Sequence, residues 1–252
     1  MTNFLGLESS AVAICFAAIL AGGLVKGMVG LGLPLVALPI MVSFIPLPKA
    51  IGLLIMSSFA TSAWQSVGGG HLVPSIKRFW PLLLGLTLGI AISVKALVAF
   101  DMDLLYLILG AIILAYSVVL HRRLVISVVP RVDRWLGPLV GLIGGLVCGI
   151  SMLLGPIFAM YFSGLRLPKE TFIGGVALTG WYAMVVLSMS MSHYELFGGP
   201  DVLASVMALI PSFLGLALGQ FLRRHVNEDL FRKCLAAALF LIGVSLILKG
   251  SG

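Results

Sequence analysis

The apolar residues of this chain fall into long uninterrupted runs instead of the short alternating patterns of a soluble domain. A helix needs about 20 consecutive apolar residues to cross a membrane. Six runs are close to that length: residues 51–70, 80–100, 104–120, 172–192, 202–222 and 230–248. The pattern therefore predicts six ordinary membrane-spanning helices.

Two further apolar runs, residues 11–45 and 136–165, are longer than one span. As straight helices they would reach about 52 and 45 Å, which exceeds a hydrocarbon core but falls short of two comfortable spans. Both runs contain glycine and proline, which break helices. We expect each run to form a pair of half-helices that meet near the membrane midplane, with breaks near residues 26–32 and 148–155.

The two long runs also match each other. A shift of 122 residues places Gly23 on Gly145 and Pro34 on Pro156. Coincident glycines and prolines indicate an internal duplication. The predicted divisions are a first repeat at 1–120, a basic linker at 121–135 and a second repeat at 136–252.

The distribution of Lys and Arg predicts how the repeats cross the membrane. If all eight segments cross, each side receives seven basic residues and no orientation follows. If each broken segment re-enters, the basic residues on one side are Lys77, Arg78, Arg122, Arg123, Arg131, Arg134, Arg166, Lys169, Arg223, Arg224, Arg232 and Lys233. The other side then carries only Lys49 and Lys249. Because basic loops stay in the cytoplasm, we predict two inverted repeats, each one re-entrant helix plus three spans, with both termini outside the cytoplasm.

Composition narrows the function class. Hydrophobic residues make up 60% of the chain and charged residues only 10%, whereas a soluble domain is about a quarter charged. This composition excludes a soluble enzyme and a disordered chain. It also excludes a nucleic-acid binder, because the net charge of +7 comes from short clusters between apolar runs. The three cysteines and four histidines form no metal or disulfide spacing. We expect no catalytic activity, cofactor or metal.

The first broken run carries a glycine series, Gly22-Gly23-Leu24-Val25-Lys26-Gly27-Met28-Val29-Gly30-Leu31-Gly32-Leu33, that ends in Pro34. This motif resembles the opening of the sulfite exporter TauE/SafE family, also called TSUP permeases. The resemblance implies a secondary transporter, an exporter of small anions such as sulfite or organosulfonates, in the bacterial inner membrane. An anion channel and a permease for another organic anion, such as a carboxylate, are the alternatives. The implied partners are the small anion and the lipid bilayer, and a homo-oligomer is compatible with the sequence.

Lys26 is the sharpest candidate for substrate contact. A lysine at the bilayer centre costs about 2.5–3.5 kcal/mol on insertion scales, and none of the nine carboxylates lies inside an apolar run to pair with it. It is expected either to bind an anion or to extend its amine to the membrane surface. The second repeat has Cys148 at the equivalent position, so the site should be asymmetric.

Polar and glycine residues near Lys26 complete the predicted site. The glycines would expose backbone N–H groups to an anion or else allow close helix packing. The hydroxyl groups would line the pathway or else bond between helices. The predicted substrate-binding residues are Lys26, Gly27, Gly30, Gly32, Ser57, Ser58, Thr61, Gln65, Ser151, Gly155 and Thr179.

The absence of a carboxylate within the apolar runs also bears on energy coupling. Proton- and sodium-coupled transporters commonly use an acidic residue at membrane depth. A negative cell interior alone drives anion efflux by about 2.3 kcal/mol per charge per 100 mV. Export driven by the membrane potential would therefore need no coupling carboxylate.

Overall fold

The computed structural model describes residues 9–30, 32–67, 72–122, 133–165, 167, 169–223, 225 and 228–251. This part of the chain folds entirely into α helices and their connections. The helices are α1 (Ser9–Val29), α2 (Leu33–Met41), α3 (Leu47–Val67), α4 (Leu72–Ala99), α5 (Met102–Arg122), α6 (Asp133–Ser151), α7 (Gly155–Gly164), α8 (Lys169–His193), α9 (Gly199–Met207), α10 (Leu209–Leu222) and α11 (Glu228–Ser251).

Within the described residues, six stretches are long and apolar enough to cross a membrane. They are Ala11–Val29, Ser75–Ala99, Met102–His121, Gly174–His193, Gly199–Leu222 and Lys233–Ser251. The predicted membrane-protein class is thereby confirmed. The helix α3 has sufficient length, but its serine, threonine and glutamine residues lower its mean hydropathy. Most helices extend beyond the predicted runs because hydropathy marks only the apolar part of each helix.

Contacts between α5 and α11 define the two ends of the bundle. These helices are antiparallel: Gly250 packs near the Asp103 carbonyl, and Ser117 Oγ donates a 2.8 Å hydrogen bond to the Ala236 carbonyl. Lys249 Nζ also donates to the carbonyl of Val42, just after α2, at 3.1 Å. We call the end that holds Val42, Asp103 and Lys249 the first face. The opposite end, where α3 and α5 finish, is the second face.

Both broken segments fold back on themselves. Gly22 of α1 packs against the Leu33 carbonyl and lies close to Ala37, so α2 returns alongside α1. In the second segment, Gly144 of α6 packs against the ring of Phe158, and a Cβ at Gly137 would lie 3.3 Å from Tyr161 Oη. Glycine permits these approaches because a larger side chain would collide with the returning helix.

Glycines also join the two halves of the chain. Gly23 packs on Gly215 and Gly27 on Gly219, so α1 and α10 run parallel. Gly145 of α6 packs on Gly89 of α4, and this pair is parallel as well. The helices of the first half thus complete their packing on helices of the second half.

The breaks fall within the predicted ranges, after Val29 and after Ser151, but the two helices of each run are unequal instead of half-helices. α1 has 21 residues and α6 has 19, whereas α2 has 9 and α7 has 10. At 1.5 Å per residue, α1 alone is about 31 Å long. The cause is the late position of the helix-ending residues: Gly30 and Gly32 have φ of +87° and +108°, which no α helix can accommodate.

Two further expectations need comment. The predicted span at 202–222 corresponds to the apolar stretch Gly199–Leu222, but the helix is interrupted at one residue, Ala208, between α9 and α10. Pro211 explains the division, because it has no N–H to bond the Met207 carbonyl and its ring crowds that group. Residues 123–132 of the predicted basic linker lie outside the described part of the chain.

Candidate functional site

Lys26 lies in the last turn of α1 with only 6% of its surface exposed. Its Nζ donates hydrogen bonds of 2.9 Å to Thr61 Oγ1 and 2.9 Å to Ser62 Oγ, both on α3. Thr61 Oγ1 donates in turn to the Ser57 carbonyl at 2.6 Å, which turns its lone pairs toward the ammonium. Among the described residues, the hydrogen-bond partners of Lys26 are therefore neutral hydroxyls, and the positive charge has no carboxylate beside it.

A cavity of about 60 Å³, counted as space for the centres of water molecules, opens beside Lys26. One water needs only about 10–15 Å³ on that measure, so the cavity has room for a small oxyanion with water. Its polar wall consists of Lys26, Ser58, Ser62, Gln65 and Thr179. Its apolar wall includes Leu35, Met152, Leu154, Phe158, Val176 and Met184.

Two helix N-termini also line this cavity. Gly32 and Pro34 come from the start of α2, and Gly155 and Pro156 come from the start of α7. The first N–H groups of a helix have no partner within it and carry partial positive charge. The two breaks therefore contribute backbone to the same cavity as the Lys26 ammonium.

Ser58 adds an unused hydroxyl to the polar wall. Its side chain is 4% exposed, and its Oγ has no hydrogen-bond partner. Gln65 Nε2 reaches the Gly30 carbonyl at 3.4 Å, and Thr179 Oγ1 donates to the Val176 carbonyl at 2.9 Å. Of these three polar groups, Ser58 Oγ alone has no hydrogen-bond partner in the protein. A buried hydroxyl in that state is costly unless a ligand or water satisfies it.

The structure brings most of the predicted site residues together. Those that line the cavity are Lys26, Gly30, Gly32, Ser58, Gln65, Gly155 and Thr179. Thr61 lies behind Lys26 and holds its ammonium.

The remaining three predicted residues do not line the cavity. Gly27 packs against α10, because the helix periodicity turns it away from Lys26 toward Gly219. Ser57 is fully buried, and its Oγ has no partner. Ser151 Oγ donates to the Val147 carbonyl at 2.6 Å and accepts from the Leu153 N–H at 3.3 Å, so it stabilises the second break.

The sequence interpretation omitted several cavity residues that the repeat itself could have identified. Five pairs of lining residues are separated by the same 122 positions as the aligned glycines and prolines. The pairs are Gly30 and Met152, Gly32 and Leu154, Pro34 and Pro156, Ser58 and Gly180, and Ser62 and Met184. Applying the shift to each first-repeat candidate would have added its counterpart to the predicted site.

The sequence profile of the sulfite exporter TauE/SafE family matches residues 14–246 of the chain. The protein belongs to the TauE/SafE family. The resemblance of the glycine series in the first broken run is thus confirmed, and the matched range includes every residue of the cavity. As a TauE/SafE protein with apolar helices, the chain is a membrane transporter. No curated protein and no solved structure matches it.

Proposed function

We propose that this TauE/SafE transporter binds a small oxyanion, such as sulfite or an organosulfonate, in the cavity beside Lys26 and exports it. The observation that carries the proposal is the buried ammonium of Lys26, held by the hydroxyls of Thr61 and Ser62. A buried charge without an opposite charge is costly. An anion in the adjacent cavity supplies that opposite charge.

The chemistry of the cavity walls supports an anion over a cation. Ser58 offers a hydroxyl without a partner in the protein, and the glycines at the starts of α2 and α7, Gly32 and Gly155, line the cavity with backbone that carries an N–H. The cavity lining within the described residues includes no carboxylate. Charge-assisted hydrogen bonds from N–H and O–H donors suit an oxyanion, whereas a metal ion prefers carboxylate or imidazole ligands.

The directions of the helices support inverted repeats with re-entrant broken segments. α1 runs parallel to α10, which ends at the second face, so α1 starts at the first face and α2 returns there. α6 runs parallel to α4 and starts at the second face, and α7 leads back to α8 on that side. α1 corresponds to α6 in the other repeat, and α10 corresponds to α4. The α1–α10 pair and the α6–α4 pair are therefore equivalent contacts, as a two-fold relation requires.

This arrangement leads to a proposed orientation. Eight of the twelve basic residues of the re-entrant count belong to the described part of the chain, and the helix ends that carry them lie at the second face. This face would therefore be cytoplasmic, and the first face with both termini would be outside the bacterial inner membrane. A reporter that is active only in the cytoplasm, fused after Gly252, should be inactive. Strong activity would contradict the proposed topology and leave the anion site to be tested separately.

The anion site can be tested by replacing Lys26. In purified full-length protein, Lys26→Gln should weaken binding of sulfite, thiosulfate, a sulfonate or a carboxylate, whichever the wild type binds, by about 1–3 kcal/mol. Glutamine can still donate to Thr61 and Ser62, so folding should persist. The matched control is Lys95→Gln, because Lys95 also lies in an apolar helix but its side chain is exposed.

Binding and flux measurements separate this proposal from a surface-directed lysine, from an anion channel and from a carboxylate permease. Unchanged affinity in a well-folded Lys26→Gln protein would contradict the site and favour a lysine that only reaches toward water. Flux into proteoliposomes that saturates with anion concentration is expected of a transporter, whereas flux that rises without saturation would indicate a channel. Preference for a carboxylate within the panel would move the substrate away from sulfur oxyanions.

A further inference from the structure

The two breaks share a positive φ at one pair of equivalent positions, which different residues occupy. Gly30 ends the first helix with φ of +87°, and Met152, 122 positions later, has φ of +54°. Glycine adopts positive φ freely, but a methionine there is strained because its Cβ approaches the following carbonyl. Such strain persists only where surrounding contacts hold the turn.

The turn at Met152 is held by side chains on both sides. Tyr116 of α5 is 6% exposed, and its Oη donates a 2.5 Å hydrogen bond to the Leu153 carbonyl. On the other side of the same residue, the Leu153 N–H donates to Ser151 Oγ at 3.3 Å. The backbone of Leu153 is therefore fixed by one residue from a different helix and by one from its own helix end.

The position of this turn determines where α7 begins. Met152, Leu153 and Leu154 connect α6 to Gly155, and all four residues line the cavity. Rotation of the Leu153 backbone would change the direction of the N–H of Gly155, the first residue of α7, and Pro156 after it has no N–H. Gly155 lines the cavity that also contains Lys26 and the unpartnered Ser58 hydroxyl. Tyr116 itself is not part of the cavity wall.

We infer that Tyr116 is a positioning residue for anion binding. By holding the Leu153 carbonyl, it keeps the strained turn at Met152 and directs the start of α7 into the cavity. This inference rests on the anion site proposed above, and it assigns to the second repeat a binding contribution that comes from backbone instead of a charged side chain.

The test uses sulfite affinity in purified full-length protein, or that of another anion of the panel if sulfite does not bind. Tyr116→Phe should raise the dissociation constant roughly 3- to 10-fold, the effect of one lost hydrogen bond. In a Met152→Gly background the same change should raise it less than about 2-fold, because glycine keeps the turn without support. Tyr106→Phe is the control: Tyr106 is also on α5 and 9% exposed, but its hydroxyl has no hydrogen bond among the described residues.

A second measurement follows the turn directly. Amide hydrogen exchange in a peptide covering residues 150–160 should be faster in Tyr116→Phe than in the wild type or in Tyr106→Phe, without any anion. If Tyr116→Phe costs the same affinity with and without the Met152→Gly change, the inference is overturned, as it is by unchanged exchange in Tyr116→Phe. If Lys26→Gln weakens binding while Tyr116→Phe does not, the inference fails alone; if neither variant weakens binding, the proposed anion site fails.

Discussion

The two proposed repeats contribute unlike walls to one cavity. The first provides Lys26, Ser58 and Ser62, whereas the positions of the second that are equivalent to the two serines provide Gly180 and Met184. The backbone is nevertheless alike, since both repeats break at positions 122 residues apart and return along the preceding helix. In the proposed duplication, a similar backbone path with different side chains places one charge at the junction instead of two that would repel each other.

The difference extends to the residues behind the cavity. Thr61 and Ser62 accept hydrogen bonds from Lys26, but the equivalent positions are Ala183 and Met184. Cys148, the counterpart of Lys26, is completely buried. The second repeat therefore has neither the charge nor the acceptors that would make a charge tolerable.

Replacing Cys148 by lysine, the residue at the equivalent position of the first repeat, should have the largest effect on stability. Cys148→Lys would bury an ammonium without counterparts of the Thr61 and Ser62 hydroxyls and lower the free energy of unfolding by about 3–5 kcal/mol. Thermal unfolding and size-exclusion chromatography in detergent would measure the loss, with Cys148→Met as the uncharged control for added volume. Equal stability of the lysine and methionine variants would show that the second repeat tolerates a charge as well as the first.

Removing an acceptor from the first repeat should have the next largest effect. Thr61→Val keeps the shape of the side chain but leaves one N–H of Lys26 unpaired, which should lower the free energy of unfolding by about 1–3 kcal/mol. In a Lys26→Met background, which has no ammonium, the same change should cost much less. A full double-mutant cycle measures this coupling. A coupling near zero would mean that Thr61 does not support Lys26.

The first break depends on glycine, and adding a methyl group at Gly32 tests this dependence. Gly32→Ala should cost about 1–2 kcal/mol of stability because φ is +108°, while its Cβ would only touch the Leu35 side chain at 3.4 Å. The matched control is Gly199→Ala, where a Cβ meets no atom within 4 Å and φ is not positive. Similar unfolding temperatures for the two variants would show that the first break is not held in this conformation.

The smallest expected effect distinguishes ligand binding from packing. Ser58→Ala should weaken anion binding by about 0.5–1.5 kcal/mol without lowering stability, because the hydroxyl has no partner in the protein. Ser57→Ala is the control, since Ser57 Oγ is also buried and unpartnered but lies outside the cavity wall. Calorimetric titration with the bound anion would compare them, and equal affinities would remove Ser58 from the site.

The sequence predicted the parts of the fold that depend on local chemistry. Glycine and proline located both breaks, and Lys26 stood out as a cation deep in an apolar run. The sequence did not reveal that Gly27 meets α10 while its neighbour Lys26 meets α3, because helix rotation depends on tertiary packing. Met152 gave no warning of a positive φ either, since that conformation depends on contacts from Ser151 and from Tyr116, 36 positions earlier in the chain.

The interleaved glycine contacts have a consequence for biosynthesis. Gly27 packs on Gly219, which is 192 positions further along the chain. At roughly 5–20 residues per second, α1 leaves the ribosome on the order of 10–40 s before its permanent neighbour exists. During that interval the glycine-containing side of α1 contacts lipid or another helix. The contact of α1 with α10 therefore forms only after α10 is inserted, and the cavity beside Lys26 is complete only when the residues of the second half that line it are in the bilayer.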